Sequence, residues 1–185
     1  MLSIEIIKKI IYNIKADRIG PDLPFTHWRL YYSRLMLRLC KKKFQHFADT
    51  AQFRSGAYAV GCSKIRIGNR VIIRPGVMLF GESESLETSI IIEDNVMMGS
   101  GVHFYINNHK FDNPNKALID QGYYPDKPII LKNGCWIGAN AILLPGVTIG
   151  CNSVVGAGSI VTRSVPDGVV ATGNPARVVK KIGEF

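Results

Sequence analysis

Read at every sixth residue, the stretch from Leu131 to Val165 repeats itself. Leu131, Ile137, Leu143, Ile149, Val155 and Val161 are all branched aliphatics. Four positions after each stand Cys135, Ala141, Val147, Ser153, Ser159 and Val165, all small or β-branched. Gly138, Gly150 and Gly156 directly follow three of the aliphatics. A period of six matches neither the 3.6-residue helix nor the two-residue alternation of a simple strand. It fits an all-β solenoid, in which each short straight segment returns the same side chain to one axis.

Each hexad is then one short strand and one corner. The aliphatic fills the interior, and the small residue four places on fits the narrow corner. Glycine beside the aliphatic permits positive φ or close backbone approach. Three hexads make a triangular coil, and coils stack at about 4.8 Å. The same period runs through Ile67/Val71, Ile73/Val77 and Leu79, then through Ile92/Val96, Met98/Val102 and Phe104 in a register displaced by one. The displacement predicts a loop or bulge in the acidic stretch from Glu82 to Ser89. Residues 107–128 break the pattern with prolines, Asn, Asp and the pair Tyr123–Tyr124. A long excursion from a rigid scaffold is where binding and catalytic groups concentrate.

Four motifs carry a resemblance: Trp136-Ile137-Gly138-Ala139-Asn140, Leu144-Pro145-Gly146-Val147-Thr148-Ile149-Gly150, Gly156-Ala157-Gly158-Ser159 and Gly173-Asn174-Pro175-Ala176. With them the chain resembles the hexapeptide-repeat acyltransferases over about residues 56–182. The likeness is to the maltose/galactoside acetyltransferase-like branch, with its capsule and lipopolysaccharide O-acetyltransferases. It implies a left-handed parallel β-helix, a homotrimer with sites between subunits, and acetyl-CoA as donor, with no metal. The expected organisation is an N-terminal basic helical segment, 1–55, and an acyltransferase domain, 56–182, carrying the loop 107–128. The implied function is O-acetylation of a sugar hydroxyl on a surface polysaccharide or its precursor. The alternative is N-acetylation of a nucleotide-linked amino sugar or another small acceptor.

The family's catalytic histidine opens the same excursion, often in an Asp-His-Asn-His-like run. Here that run reads Ile106, Asn107, Asn108, His109, so only the last two positions match and the catalytic role passes to His109 alone. A sugar hydroxyl attacks well only as its proton is removed, and histidine is the side chain suited to that near neutral pH. Asn107, Asp112 or a backbone carbonyl is expected to orient the ring. The resemblance places the pantetheine arm along Ala139, Ala157 and Thr162, with the backbone N–H of Ala139 as an oxyanion donor. It places the nucleotide phosphates near Arg177 and Lys180. On the acceptor side it points to Arg74. Gln121, Tyr123 and Tyr124 are the loop residues that can stack on or hydrogen-bond to a sugar. A metal-dependent carbonic anhydrase on the same scaffold needs three converging histidines, and only His103 and His109 fall in the repeat region.

Net charge is +9, and residues 1–48 hold ten Lys/Arg against three Asp/Glu. The basicity therefore belongs to the N-terminal segment, and no nucleic-acid motif accompanies it. Ile4, Ile7, Ile11 and Ile14 share one face of a predicted helix over 3–15, with Lys8, Lys9 and Lys15 largely off that stripe. A second helix is expected from Trp28 to Phe44, with Tyr31, Leu35 and Leu39 on one face. Both helices are expected mainly to cap the open end of the solenoid, with contact to an anionic membrane face as a second role. Four cysteines without framework spacing read as reduced packing residues. With no signal peptide or membrane-length apolar run visible, the expected location is cytoplasmic, peripheral at the inner membrane face.

Overall fold

The computed structural model describes residues 2–184. From His46 onward the chain visits three sides in turn, and each visit before the last is a strand of two or three residues. On side one, His46–Phe47, Ile65–Ile67, Ile90–Ile92, Ile129–Leu131 and Thr148–Ile149 pair in parallel. On side three, Tyr58–Val60, Met78–Phe80, His103–Tyr105, Ile142–Leu143 and Ile160–Val161 do the same. Side two pairs in two pieces. Gln52–Phe53 joins Ile72–Ile73; Met97–Met98, Trp136–Ile137, Val154–Val155 and Val169–Gly173 form the rest. Parallel pairing thus starts at His46, ahead of the expected boundary at 56. Residues 46–55 belong to the first coil, stacked on the strands Ile65–Ile67 and Ile72–Ile73.

The hexad columns account for this architecture. Leu131, Ile137, Leu143, Ile149, Val155 and Val161 are all fully buried. So are Cys135, Ala141 and Ser153, with Val147, Ser159 and Val165 almost so. Register pairs like with like: Leu131 lies beside Ile92 and Ile149, and Ile137 beside Met98 and Val155. The buried serines are satisfied. Ser153 Oγ donates to the Pro166 carbonyl at 2.5 Å, and Ser159 Oγ accepts from the Gly173 N–H at 3.1 Å. Stacking also explains Gly138, where an added Cβ would overlap the backbone of Ala157.

The predicted interruption, Glu82 to Ser89, falls in the gap between the strands ending at Phe80 and beginning at Ile90. Its end is pinned where Ser89 Oγ donates to the Gly81 carbonyl at 2.6 Å. At the other end of the stack Val169–Gly173 adds a last parallel strand, and the chain turns back as Ala176–Lys181, antiparallel to it.

Before the stack come helix α1 (Leu2–Lys15), a short helix α2 (Pro24–His27), a 3-10 turn (Trp28–Tyr31) and helix α3 (Ser33–Lys43). The second expected helix is therefore broken at Tyr32, which is extended (φ −121°, ψ 113°) between the 3-10 turn and α3. The face that α3 buries is Met36, Leu39 and Cys40, while Tyr31 stays exposed. Capping is shared by this part and the strand Arg18–Ile19, which pairs antiparallel with Tyr58–Val60 and buries Ile19. Phe44 follows α3 and packs on Phe47 and Phe53 of the first coil, with ring centroids 5.5 and 5.6 Å apart. The isoleucines of α1 take no part in it. Ile4, Ile7, Ile11 and Ile14 are 58, 54, 46 and 42% exposed, and among the α1 residues whose burial is described it is Asn13 that is buried. The expectation that α1 chiefly caps the solenoid is thereby overturned: Asn13 is turned inward with Ile10 half-buried beside it, and the stripe of Ile4, Ile7, Ile11 and Ile14 faces outward.

Candidate active site at two corners of the stack

The chain turns three corners per circuit, and the residues singled out in the sequence fall on two of them. Corner two lies between sides two and three. It carries Arg74, Ala139 and Ala157. Corner three, between sides three and one, carries Thr162 and the long excursion between Tyr105 and Ile129.

The excursion is a folded ribbon. Lys127 N–H donates to the Ile106 carbonyl at 2.8 Å, Tyr124 N–H to Asn108 at 2.9 Å, and Lys110 N–H to Gly122 at 2.9 Å. This pairing sets His109 opposite Tyr123 in an antiparallel bridge. Their rings lie 4.1 Å apart, tilted 33°. The imidazole is thus held on an aromatic face at the edge of the scaffold, and it is solvent-exposed.

Both side chains expected to orient His109 are engaged with other partners. Asn107 Nδ2 donates to Asp126 at 2.7 Å, and Asp112 accepts the Tyr124 hydroxyl. Asp126 also accepts from Ser83 Oγ at 2.6 Å and Ser85 Oγ at 3.2 Å, tying the loop root to the acidic stretch. Burial alone pushes the Asp126 carboxyl up. The hydrogen bonds from Ser83, Asn107 and Ser85 outweigh it and hold the group below the usual carboxylate range. Sequence reasoning missed Asp126; its signal is a lone acid just before the chain rejoins the stack. Gln121 is spent inside the loop, where its amide donates to the carbonyls of Asn113 (2.9 Å) and Lys116 (2.8 Å). It shapes the loop tip, where a contact with acceptor was expected.

A cleft of about 730 Å³ opens beside the ribbon at corner three. Tyr123, Asn107 and Asp126 form one wall, and Glu82, Glu84 and Asp17 the acidic remainder, with Lys64 as the lining cation. Asp17 is anchored by the Ser63 N–H at 2.9 Å and the Ser63 hydroxyl at 2.6 Å. A smaller hollow of about 250 Å³ on the same corner joins Asn108 and Tyr124 to Leu144 and Thr162.

Arg74 stands elsewhere. At the break in side two its Nε donates to the Met98 carbonyl at 3.0 Å, in a groove of about 510 Å³ that also touches Met97, Gly99 and Trp136. Ala139 and Ala157 continue this corner along the stack, and the Ala139 carbonyl accepts from Gly158 N–H at 2.8 Å. Arg177 and Lys180 are exposed on the antiparallel outer strand. One chain therefore spreads the expected residues over two corners, and not by role: Arg74, expected at the acceptor, lies with the donor residues Ala139 and Ala157, and Thr162, expected along the donor, lies beside the acceptor loop.

His103 is not part of either. Its Nδ1 lies 3.1 Å from the Tyr105 hydroxyl on the outside of side three. Among the described residues no cluster of three or more His, Cys, Asp or Glu is placed to hold a metal ion. The cysteines are free; burial pushes the Cys62 and Cys135 thiols up to about 12, so they remain unreactive packing groups.

Three-sided parallel stacking on an aliphatic hexad column is the architecture of the hexapeptide-repeat proteins. The family described as bacterial transferase hexapeptide (six repeats) matches residues 128–163. Galactoside O-acetyltransferase of Escherichia coli (strain K12) is 33% identical over 146 residues, covering 79% of this chain and 68% of that protein. Its counterpart in Lactococcus lactis subsp. lactis (strain IL1403) is 36% identical over 132 residues, 64% of this chain and 63% of that one. The chain thus spans about two thirds of the length of these relatives. A solved galactoside acetyltransferase in complex with coenzyme A superposes with a TM-score of 0.73 at 30% identity, covering 84% of this chain and 78% of the other. The chain belongs to the hexapeptide-repeat acetyltransferase family, beside the galactoside O-acetyltransferases.

Proposed function

We infer that this protein is an acetyl-CoA-dependent O-acetyltransferase acting on a sugar hydroxyl of a surface polysaccharide or its precursor. The observation that carries the reading is His109 packed on Tyr123, whose ring lines the cleft at corner three. The cleft takes the acceptor, and the small-residue corner takes the donor. His109 removes the hydroxyl proton as the oxygen attacks the thioester carbonyl carbon. The carbon–sulfur bond then breaks, and the proton passes to the departing thiolate. The backbone N–H of Ala139 is the proposed donor to the oxyanion.

The donor half of the reading is supported by the solved relative bound to coenzyme A. It is supported also by this chain's own corner, where Gly99 and Gly138 leave no space for a Cβ and Ala139 and Ala157 add only a methyl. Such a wall lets a long thin ligand lie close to backbone. Arg177 and Lys180 supply positive charge for its phosphates. A left-handed winding is proposed with the family resemblance.

The placement of His109 and Ala139 at different corners favours a trimer. A closed ring sets corner three of each copy against corner two of the next, giving three complete sites. The exposed loop-tip side chains Phe111, Leu118 and Ile119 then have a neighbour to pack against.

The cleft's charge bears on the acceptor. Asp17, Glu82, Glu84 and Asp126 face one lysine there. A phosphate brought within 4 Å of one such carboxylate costs about 4 kcal/mol at an effective dielectric of ~20, less where water screens it. Hydroxyls instead donate hydrogen bonds to carboxylates. The cleft therefore suits a neutral sugar better than the diphosphate of a nucleotide sugar, which places O-acetylation of a glycan ahead of the nucleotide-linked alternative.

The test is transfer of labelled acetyl from acetyl-CoA to a panel of neutral glycans, acidic glycans and nucleotide sugars. Transfer to a neutral glycan that is lost in His109→Ala is the expected result. Transfer to no acceptor, or transfer that survives the substitution, overturns the reading.

A further inference from the structure

We propose that α1 and the aromatic turn after it dock the protein on an anionic membrane surface. The helix is held to the body by its polar groups. Asn13 donates to the Lys9 carbonyl at 3.0 Å and accepts from the Phe25 N–H at 3.2 Å. Lys43 of α3 donates to the carbonyls of Ile14 and Ala16 at the end of α1. That leaves Ile4, Ile7, Ile11 and Ile14 facing outward, with Lys8 and Lys15 along one edge of the stripe on the helical wheel. A lone soluble domain gains nothing by exposing four isoleucines while burying an asparagine, so the stripe has a partner.

Charge identifies which partner. One edge of the stripe is basic, and residues 1–48 carry ten of the chain's Lys/Arg against three Asp/Glu. An apolar helical face edged by lysines is the chemistry that sinks into an acyl–headgroup boundary while its cations meet anionic lipid. Phe25, Trp28, Tyr31 and Tyr32 are exposed on the next segment, and ring pairs such as Trp28–Tyr32 at 6.2 Å hold them in place. Amphipathic aromatics favour the same interfacial depth. A second copy of the chain is the competing occupant, but it would bring lysine stripe to lysine stripe if the contact were two-fold. Docking is independent of which sugar is acetylated.

The full chain is to be sedimented with vesicles of phosphatidylcholine alone and of phosphatidylcholine with phosphatidylglycerol. Binding to the anionic vesicles should be at least about tenfold stronger and should weaken with salt. Lys8→Gln/Lys15→Gln should reduce it by about tenfold, with circular dichroism and assembly mass unchanged. Ile7→Asp/Ile11→Asp should abolish it. The proposal is overturned if the full chain ignores anionic vesicles at about 0.15 M salt, or if the lysine variant binds as tightly as the parent. It is overturned equally if Ile7→Asp/Ile11→Asp alters the mass of the assembly in ultracentrifugation and leaves vesicle binding intact, which assigns the stripe to a second copy.

Discussion

The rings of His109 and Tyr123 face each other across the loop ribbon, 4.1 Å between centroids, because backbone pairing places the two residues directly opposite. Aromatic support fixes where the imidazole sits without using either of its nitrogens. The position of the imidazole and one wall of the adjoining cleft therefore depend on one contact.

His109→Ala should lower turnover about 10²–10⁴-fold with acetyl-CoA affinity close to the parent's. Tyr123→Phe keeps the ring and should retain most of the activity, whereas Tyr123→Ala should lose kcat and weaken acceptor binding together. Steady-state kinetics on the three variants decide it. A Tyr123→Ala enzyme with unchanged parameters would detach the stacking from catalysis.

Mixing tests the division between corners. His109→Ala disables corner three, and Ala157→Trp should block the donor wall of corner two. Neither variant is expected to be active alone. When they are co-assembled, about a quarter of the sites should recover, because each site then draws on two different chains. The assembly mass by light scattering should be about three times the 20.5 kDa chain. A stable active monomer would refute the trimer.

Asp126 predicts acid lability of the loop. Its folded pKa lies below the ordinary carboxylate value, so its stabilising contribution is complete above the unfolded value of about 3.9. That contribution is lost as pH falls through the lower, folded pKa. Hydrogen exchange at Asn107 and Tyr124 should therefore accelerate in acid below about pH 4, and Asp126→Asn should flatten that dependence. Identical acid profiles for parent and variant would contradict it.

In the core, Ile137→Ala should cost about 2–5 kcal/mol, as expected for a fully buried aliphatic. Gly138→Val should be at least as harmful, since any Cβ there meets the Ala157 backbone of the next coil. Thermal melts that rank Gly138→Val as harmless would mean the two coils are not in backbone contact there.

The repeat was legible because it is local and periodic. Each aliphatic from Leu131 to Val161 occupies the same place in its own strand, so six-residue spacing was enough to name the core column, and burial matches it. The loop was legible for the converse reason, as the place where spacing fails. Within it the chemistry was less so. Asn107 and Asp112 stand near His109 in sequence, yet one binds Asp126 and the other Tyr124. Asp126 itself is linked to Ser83, forty-three positions away.

By itself, then, the order of residues determined the hexad columns, the site of the excursion, the candidate base and the amphipathic character of α1. Only the tertiary structure decided which way α1 turns its isoleucines, where stacking begins, and that Arg74 and His109 occupy different corners. Hydrophobic periodicity records which side chains share a face, and that information lies within a few residues of chain. Which surface the face meets depends on contacts between segments far apart in sequence, such as Lys43 with the end of α1, and those exist only once the coils have stacked.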